Sequence, residues 1–144
     1  MARALFSAAA VGSMLLAAQT AAASPAQDYM LYCMGCHGDS AHGVPGKVPP
    51  LAGVLPLYMR TSEGRNYVLR VPGAANSVLS DEGLAGVLNW LAATYPAAGE
   101  NPPKPFSVAE VTNARHVPLA NVQTTRREVV QALASSGPAP APAY

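Results

Sequence analysis

The chain has 144 residues, enough for one domain with extensions and too few for two full ones. Nine Lys and Arg stand against eight Asp and Glu, a balance that gives no electrostatic case for nucleic acid or for an anionic membrane surface. Fourteen prolines and only two phenylalanines describe a loop-rich chain with a modest aromatic core of its own.

The N-terminus reads as an export signal over residues 1–23. Arg3 supplies a positive start, Ala4 to Ala18 is apolar apart from small Ser and Gly residues, and Ala21-Ala22-Ala23 offers a cleavage site before Ser24. The apolar run is short and rich in small residues, which argues against a transmembrane anchor. Cleavage near Ala23 places the mature chain in the periplasm with no stable membrane span. Loss of Arg3 evens the charges at eight and eight.

Ser24 to Cys36 opens the mature domain as a predicted helix, with Asp28 favouring its positive end and Tyr29, Leu31 and Tyr32 giving it apolar surface. It runs into Cys33-Met34-Gly35-Cys36-His37. A disulfide between cysteines two residues apart would close a tiny loop and stabilise little. It would also leave His37 unexplained. A thioredoxin-like pair calls for a βαβ setting, and this motif follows a helix and precedes a glycine-proline loop. A structural zinc site needs four ligands, for which only His37, His42 and His116 remain. The spacing C-x-x-C-H reads instead as a c-type haem attachment site: both thiols meet one porphyrin edge, and the next histidine ligates the iron.

From Gly38 to Pro56 glycine and proline are too dense for a regular element, and a loop of that length in a small domain is usually functional. Leu57 to Val71 contains one helix, about Leu57–Arg60 or Gly64–Arg70, broken near Ser62–Gly64. Its Arg60, Arg65 and Arg70 form either a solvated face or a contact to a haem propionate. Val71 to Asn76 is a loop. Ser80 then caps the clearest helix, with Asp81 and Glu82 in its first turn and Leu84, Val87, Leu88 and Leu91 on one face. Gly83 and Gly86 on that helix suggest a close crossing with another backbone. Ala97 to Pro105 is a linker. Ser107 and Glu110 make a capping box, with Phe106 and Val111 as a hydrophobic staple, and a last helix runs from Asn121 to Ala134. Pro138 to Tyr144 alternates proline with alanine and reads as an extended, disordered tail.

With these pieces in place, Pro25 to Tyr95 resembles the class I c-type cytochromes of the small bacterial monohaem kind. The matching stretches are Cys33-Met34-Gly35-Cys36-His37-Gly38, Pro49-Pro50-Leu51-Ala52-Gly53, and Leu79-Ser80-Asp81-Glu82 leading to Trp90. The resemblance implies an all-α, cytochrome c-like fold wrapped around one covalently bound haem c, with long Gly/Pro-rich loops. It implies that a proline of the middle stretch orients the proximal histidine. It also implies that the first and last helices cross, bringing Tyr29 and Tyr32 near Gly86 and Trp90. The expected division is a signal at 1–23, a haem domain at 24–96, a helical extension at 97–136 and a tail at 137–144. Its function would be to carry single electrons in the periplasm, between a dehydrogenase or other redox partner and an acceptor such as an oxidase.

In one respect the chain departs from the family. The second axial ligand is normally a methionine in a Met-Pro step before the last helix, and this chain has Val71-Pro72 there. Met59 is the first substitute, ahead of an open iron position and then His116. His42, Met30 and Met34 are less well placed. An open position would make the chain a five-coordinate haem protein that binds a small ligand or has peroxidase-like activity. No distal acid-base pair stands out to support that alternative.

Overall fold

The structure is a computed structural model that describes residues 23–141. The expected signal segment therefore lies, but for Ala23, outside the described residues. The described chain is all-α, as the sequence predicts, and its eight helices leave only an isolated bridge between Val44 and Val48 as extended pairing.

Helix α1, Pro25–Tyr32, begins with a full capping box. Ser24 Oγ accepts from the Gln27 amide, and the Gln27 side chain accepts from the Ser24 amide at 2.8 Å. The helix does not continue to Cys36 as expected. The backbone turns out of helical geometry at Cys33, and α2, Met34–His37, is a separate turn. Gly38, at φ +78°, ends it in a conformation that favours glycine.

The next expectations also need adjustment. The region from Leu57 to Val71 holds two helices, α3 Leu55–Tyr58 and α4 Ser62–Arg70, so regular structure starts inside the proline-rich stretch. The break falls at Met59 to Thr61 because Thr61, rather than a residue further on, caps α4 by accepting from the Gly64 amide at 3.1 Å. The turn is so tight that a Cβ on Gly64 would lie 2.1 Å from the Tyr58 carbonyl oxygen. Val71 to Asn76 is not wholly loop, since Pro72 starts the single turn α5, Pro72–Ala75.

Helix α6, Asp81–Thr94, matches expectation. Ser80 Oγ accepts from the Gly83 amide at 3.1 Å, and Leu84, Val87, Leu88 and Leu91 are all buried. It crosses α1, where the Tyr29 and Trp90 rings stand 5.6 Å apart. Tyr32, expected in the same crossing, is half exposed. A Cβ on Gly86 would meet Pro25 at an ordinary contact distance of 3.5 Å, whereas one on Gly83 would meet only Leu79 and its own cap residue Ser80. The two glycines therefore do not share one close crossing.

The extension forms α7, Val108–Ala114, and α8, Val122–Ala134. Ser107 caps α7 by accepting from the Glu110 amide at 3.2 Å, and the staple residues Phe106 and Val111 are both buried. Phe106, Val111, Val129, Val130 and Leu133 join the same apolar core as Tyr58, Val68, Leu69 and Leu88. The last described residues, 138–141, have no helical structure but are not loose: Pro140 is buried, and the Pro138 and Ala141 carbonyls accept from Arg60 and Arg126. One arginine of the body and one of α8 satisfy backbone groups that a free tail would leave to water.

Candidate cofactor site

Cys33, Cys36 and His37 are brought together by α2 and the residue before it. Both cysteines are free thiols, Cys33 half-buried and Cys36 exposed. Burial, with Asp28 and Cys36 nearby, raises the Cys33 pKa above its ordinary value.

The His37 ring is held from one side. Its Nδ1 lies 3.0 Å from the Pro49 carbonyl oxygen. A carbonyl only accepts, so this contact places the ring proton on Nδ1 and leaves the Nε2 lone pair for a metal. Burial lowers the His37 pKa despite that bond, so the neutral form needed of a ligand prevails at neutral pH. The backbone is fixed as well, because the His37 carbonyl accepts from the Gly43 amide at 2.8 Å. Tyr29, 1% exposed, donates its phenol to the Gly38 carbonyl at 2.5 Å, and burial pushes that phenol up to about 12. Two free thiols and a half-buried neutral imidazole, steered by a carbonyl behind it, match the donor set of an attached haem. Among the described residues, no three His, Cys, Asp or Glu side chains gather as an alternative metal site.

The candidates for a second axial ligand separate by burial. Met59 is 2% exposed and belongs to the central core, while Met30 is 51% exposed. His42 and His116 are exposed, and Met34 is half-buried inside the attachment motif. Val71 and Pro72 sit where α4 passes into α5, so the connector before α6 brings no sulfur or imidazole.

The three arginines of the α4 region fit neither sequence reading. Arg65 grips Glu110 with two bonds of 2.6 and 2.7 Å, donates to the Lys104 and Pro105 carbonyls, and lies 4.2 Å from the Phe106 ring centroid. Arg70 donates to the Val117 and Pro118 carbonyls, both at 2.7 Å. Arg60 pairs with Glu100 at 3.0 Å and donates to Pro138. All three fasten the extension to the body, so they are neither a solvated face nor a propionate site. Two further arginines, Arg115 and Arg126, are each 5% exposed, and the sequence reading assigns them no role. Arg126 does carry a signal: it shares the apolar face of its helix with Val122, Val129, Val130 and Leu133, and a charge on such a face needs a buried partner.

No protein-family model matches the chain. It is similar to cytochrome c-552 of Thermus thermophilus, 32% identical over 102 residues that cover 58% of this chain and 78% of that protein. A second cytochrome c-552, from a named strain of the same organism, is likewise 32% identical over 102 residues, which cover 69% of its length. With the helical fold and the attachment motif beside this similarity, the chain belongs to the c-type cytochromes, the haem-bearing electron carriers.

Proposed function

We propose that the mature chain is a periplasmic monohaem cytochrome that passes single electrons from a dehydrogenase or other redox partner to a downstream acceptor. Cys33 and Cys36 hold the haem through thioether bonds, and His37 Nε2 is the proximal ligand. Met59 would supply the second iron ligand, since it is the buried thioether among the candidate donors. The observation that carries the reading is the contact of His37 Nδ1 with Pro49, which orients the ring and sets its tautomer. When bound, the haem supplies a one-electron couple. The chain excludes water, fixes the imidazole and sets the charge around the ring. Among the described residues, no helix is long and apolar enough to cross a membrane.

The test is the full chain, expressed with a haem-attachment system and then denatured. Haem should stay bound by mass, and should be lost when Cys33 and Cys36 are both replaced by Ala. Loss of haem from the wild-type chain on denaturation would sink the reading. For the distal side, the oxidised protein should show the weak long-wavelength band of methionine–iron ligation, absent in Met59→Ala. Rapid carbon monoxide binding by the reduced wild type would remove Met59 from that role.

A further inference from the structure

Twelve positions separate His37 from the carbonyl that holds its ring, and Gly43 stands midway between them. It touches both ends of that contact. Its amide donates to the His37 carbonyl at 2.8 Å, which fixes the backbone of the ligand. Its missing Cβ leaves room for the group that fixes the ring: a Cβ built there would lie 2.6 Å from the Pro49 carbonyl oxygen and 2.8 Å from the carbonyl carbon. Both are backbone atoms, which cannot turn aside as the end of a side chain does. An antiparallel bridge explains the close approach. The Val44 amide donates to the Val48 carbonyl at 2.9 Å and the Val48 amide to the Val44 carbonyl at 2.8 Å, so the chain folds back and lays Pro49 on Gly43. Beyond Pro49 the loop is pinned again, because the Ala41 carbonyl accepts from the Leu51 and Ala52 amides at 2.8 and 3.0 Å.

We infer that Gly43 is a positioning residue for the proximal ligand: the space where its Cβ would be seats the Pro49 carbonyl against His37 Nδ1, and the Val44–Val48 bridge brings that carbonyl there. This rests on the haem reading above and deepens it. One residue then sets both the backbone of His37 and the direction in which its ring points. The Nδ1 bond makes the imidazole a stronger donor, and a stronger donor favours the oxidised iron. A side chain at position 43 pushes the carbonyl away, weakens that bond and raises the potential.

The experiment compares the haem-bearing full chain with its Gly43→Ala and Gly53→Ala variants. Gly43 has φ +67°, where any side chain is strained. Gly53, at φ +69°, is the matched control, since a Cβ there would meet only the Pro96 carbonyl oxygen, at 3.9 Å. Two quantities are read: the midpoint potential, and, by NMR of the reduced protein, the exchange of the His37 ring proton with solvent. In Gly43→Ala the potential should rise, and the ring proton should exchange about five to ten times faster, as the loss of one hydrogen bond requires. Gly53→Ala should keep both at wild-type values, whatever it costs in stability. Wild-type values in Gly43→Ala overturn the inference. So does an equal change in Gly53→Ala, which would assign the effect to backbone strain alone. If Gly43→Ala does not fold, Val44→Pro, at an exposed position, removes the amide that closes the bridge. It should move both quantities in the same direction, and wild-type values there overturn the inference. Absence of covalent haem from the wild type is a separate result, which counts against the underlying reading and is seen first, by mass.

Discussion

At the residue scale, the attachment motif is legible because its chemistry is local. Cys33, Cys36 and His37 are within five residues, and one turn of helix brings them together. What holds His37 is less so. The Pro49 contact spans twelve residues and follows only from the family resemblance. The Tyr29 phenol on Gly38 depends on how the chain turns at Cys33, which the helical periodicity runs straight through. Replacing Tyr29 by Phe keeps the ring against Trp90 and removes one hydrogen bond. The expected loss is about 0.5–1 kcal/mol, at the low end for a buried bond because the exposed Gly38 can turn its carbonyl to water. Because the folded-state phenol titrates at about 12, above its usual value near 10, the bond's contribution is complete below the unfolded value and is lost only as pH rises through the folded one. Denaturant unfolding of the two proteins should therefore differ by a constant amount through the neutral range. A gap that closes between pH 6 and 8 would show that another group carries it.

At the element scale, helix starts are readable and junctions are not. Ser80, Ser107 and Asn121 each cap the helix predicted for them, because the signal is a single side chain three residues from the amide it accepts. The sequence puts the α3–α4 junction a few residues late, since the fit of Gly64 beneath the Tyr58 carbonyl is a matter of packing. The capping box of α7 shows the same limit. Glu110 is at the predicted position, but its carboxylate is held by Arg65 from α4. That hydrogen bond and charge lower the Glu110 pKa from 4.5, against a smaller effect of burial. The sign follows from linkage: a depressed carboxyl stabilises the fold above its unfolded value, and the stabilisation is lost as pH falls through the folded one. Glu110→Gln should be less stable than wild type at neutral pH, and the difference should shrink on acidification below about 4. Thermal melts at a series of pH values check this. Parallel curves down to acid pH would mean that the pair contributes nothing through its charge.

At the scale of the whole molecule, the all-α class and the core of α1 crossing α6 are visible from periodicity, caps and the resemblance together. The division at residue 96 rests on composition, where a proline-rich linker looks like a boundary. The packing gives that linker a different meaning. Residues 104–106 are held by Arg65 and by Asn89, whose side chain donates to the Phe106 carbonyl at 2.9 Å and accepts from its amide at 2.7 Å. Arg115 of the extension donates to the Ser77 and Leu79 carbonyls at 2.8 Å and to Asp81 at 2.9 Å, so it ties down the connector before α6. Buried side chains of α7 and α8 then share one core with those of α4 and α6. A core common to both parts should unfold as one unit. Leu133, fully buried on α8, is the place to test this, far in sequence from the attachment motif. Leu133→Ala should lower stability by about 2–5 kcal/mol. In the haem-bearing protein, haem absorbance and helical signal should lose it together, in one transition at a common, lower midpoint. If the extension were a separate appendage, the variant would lose part of its helical signal early and leave the haem transition where it stands in the wild type.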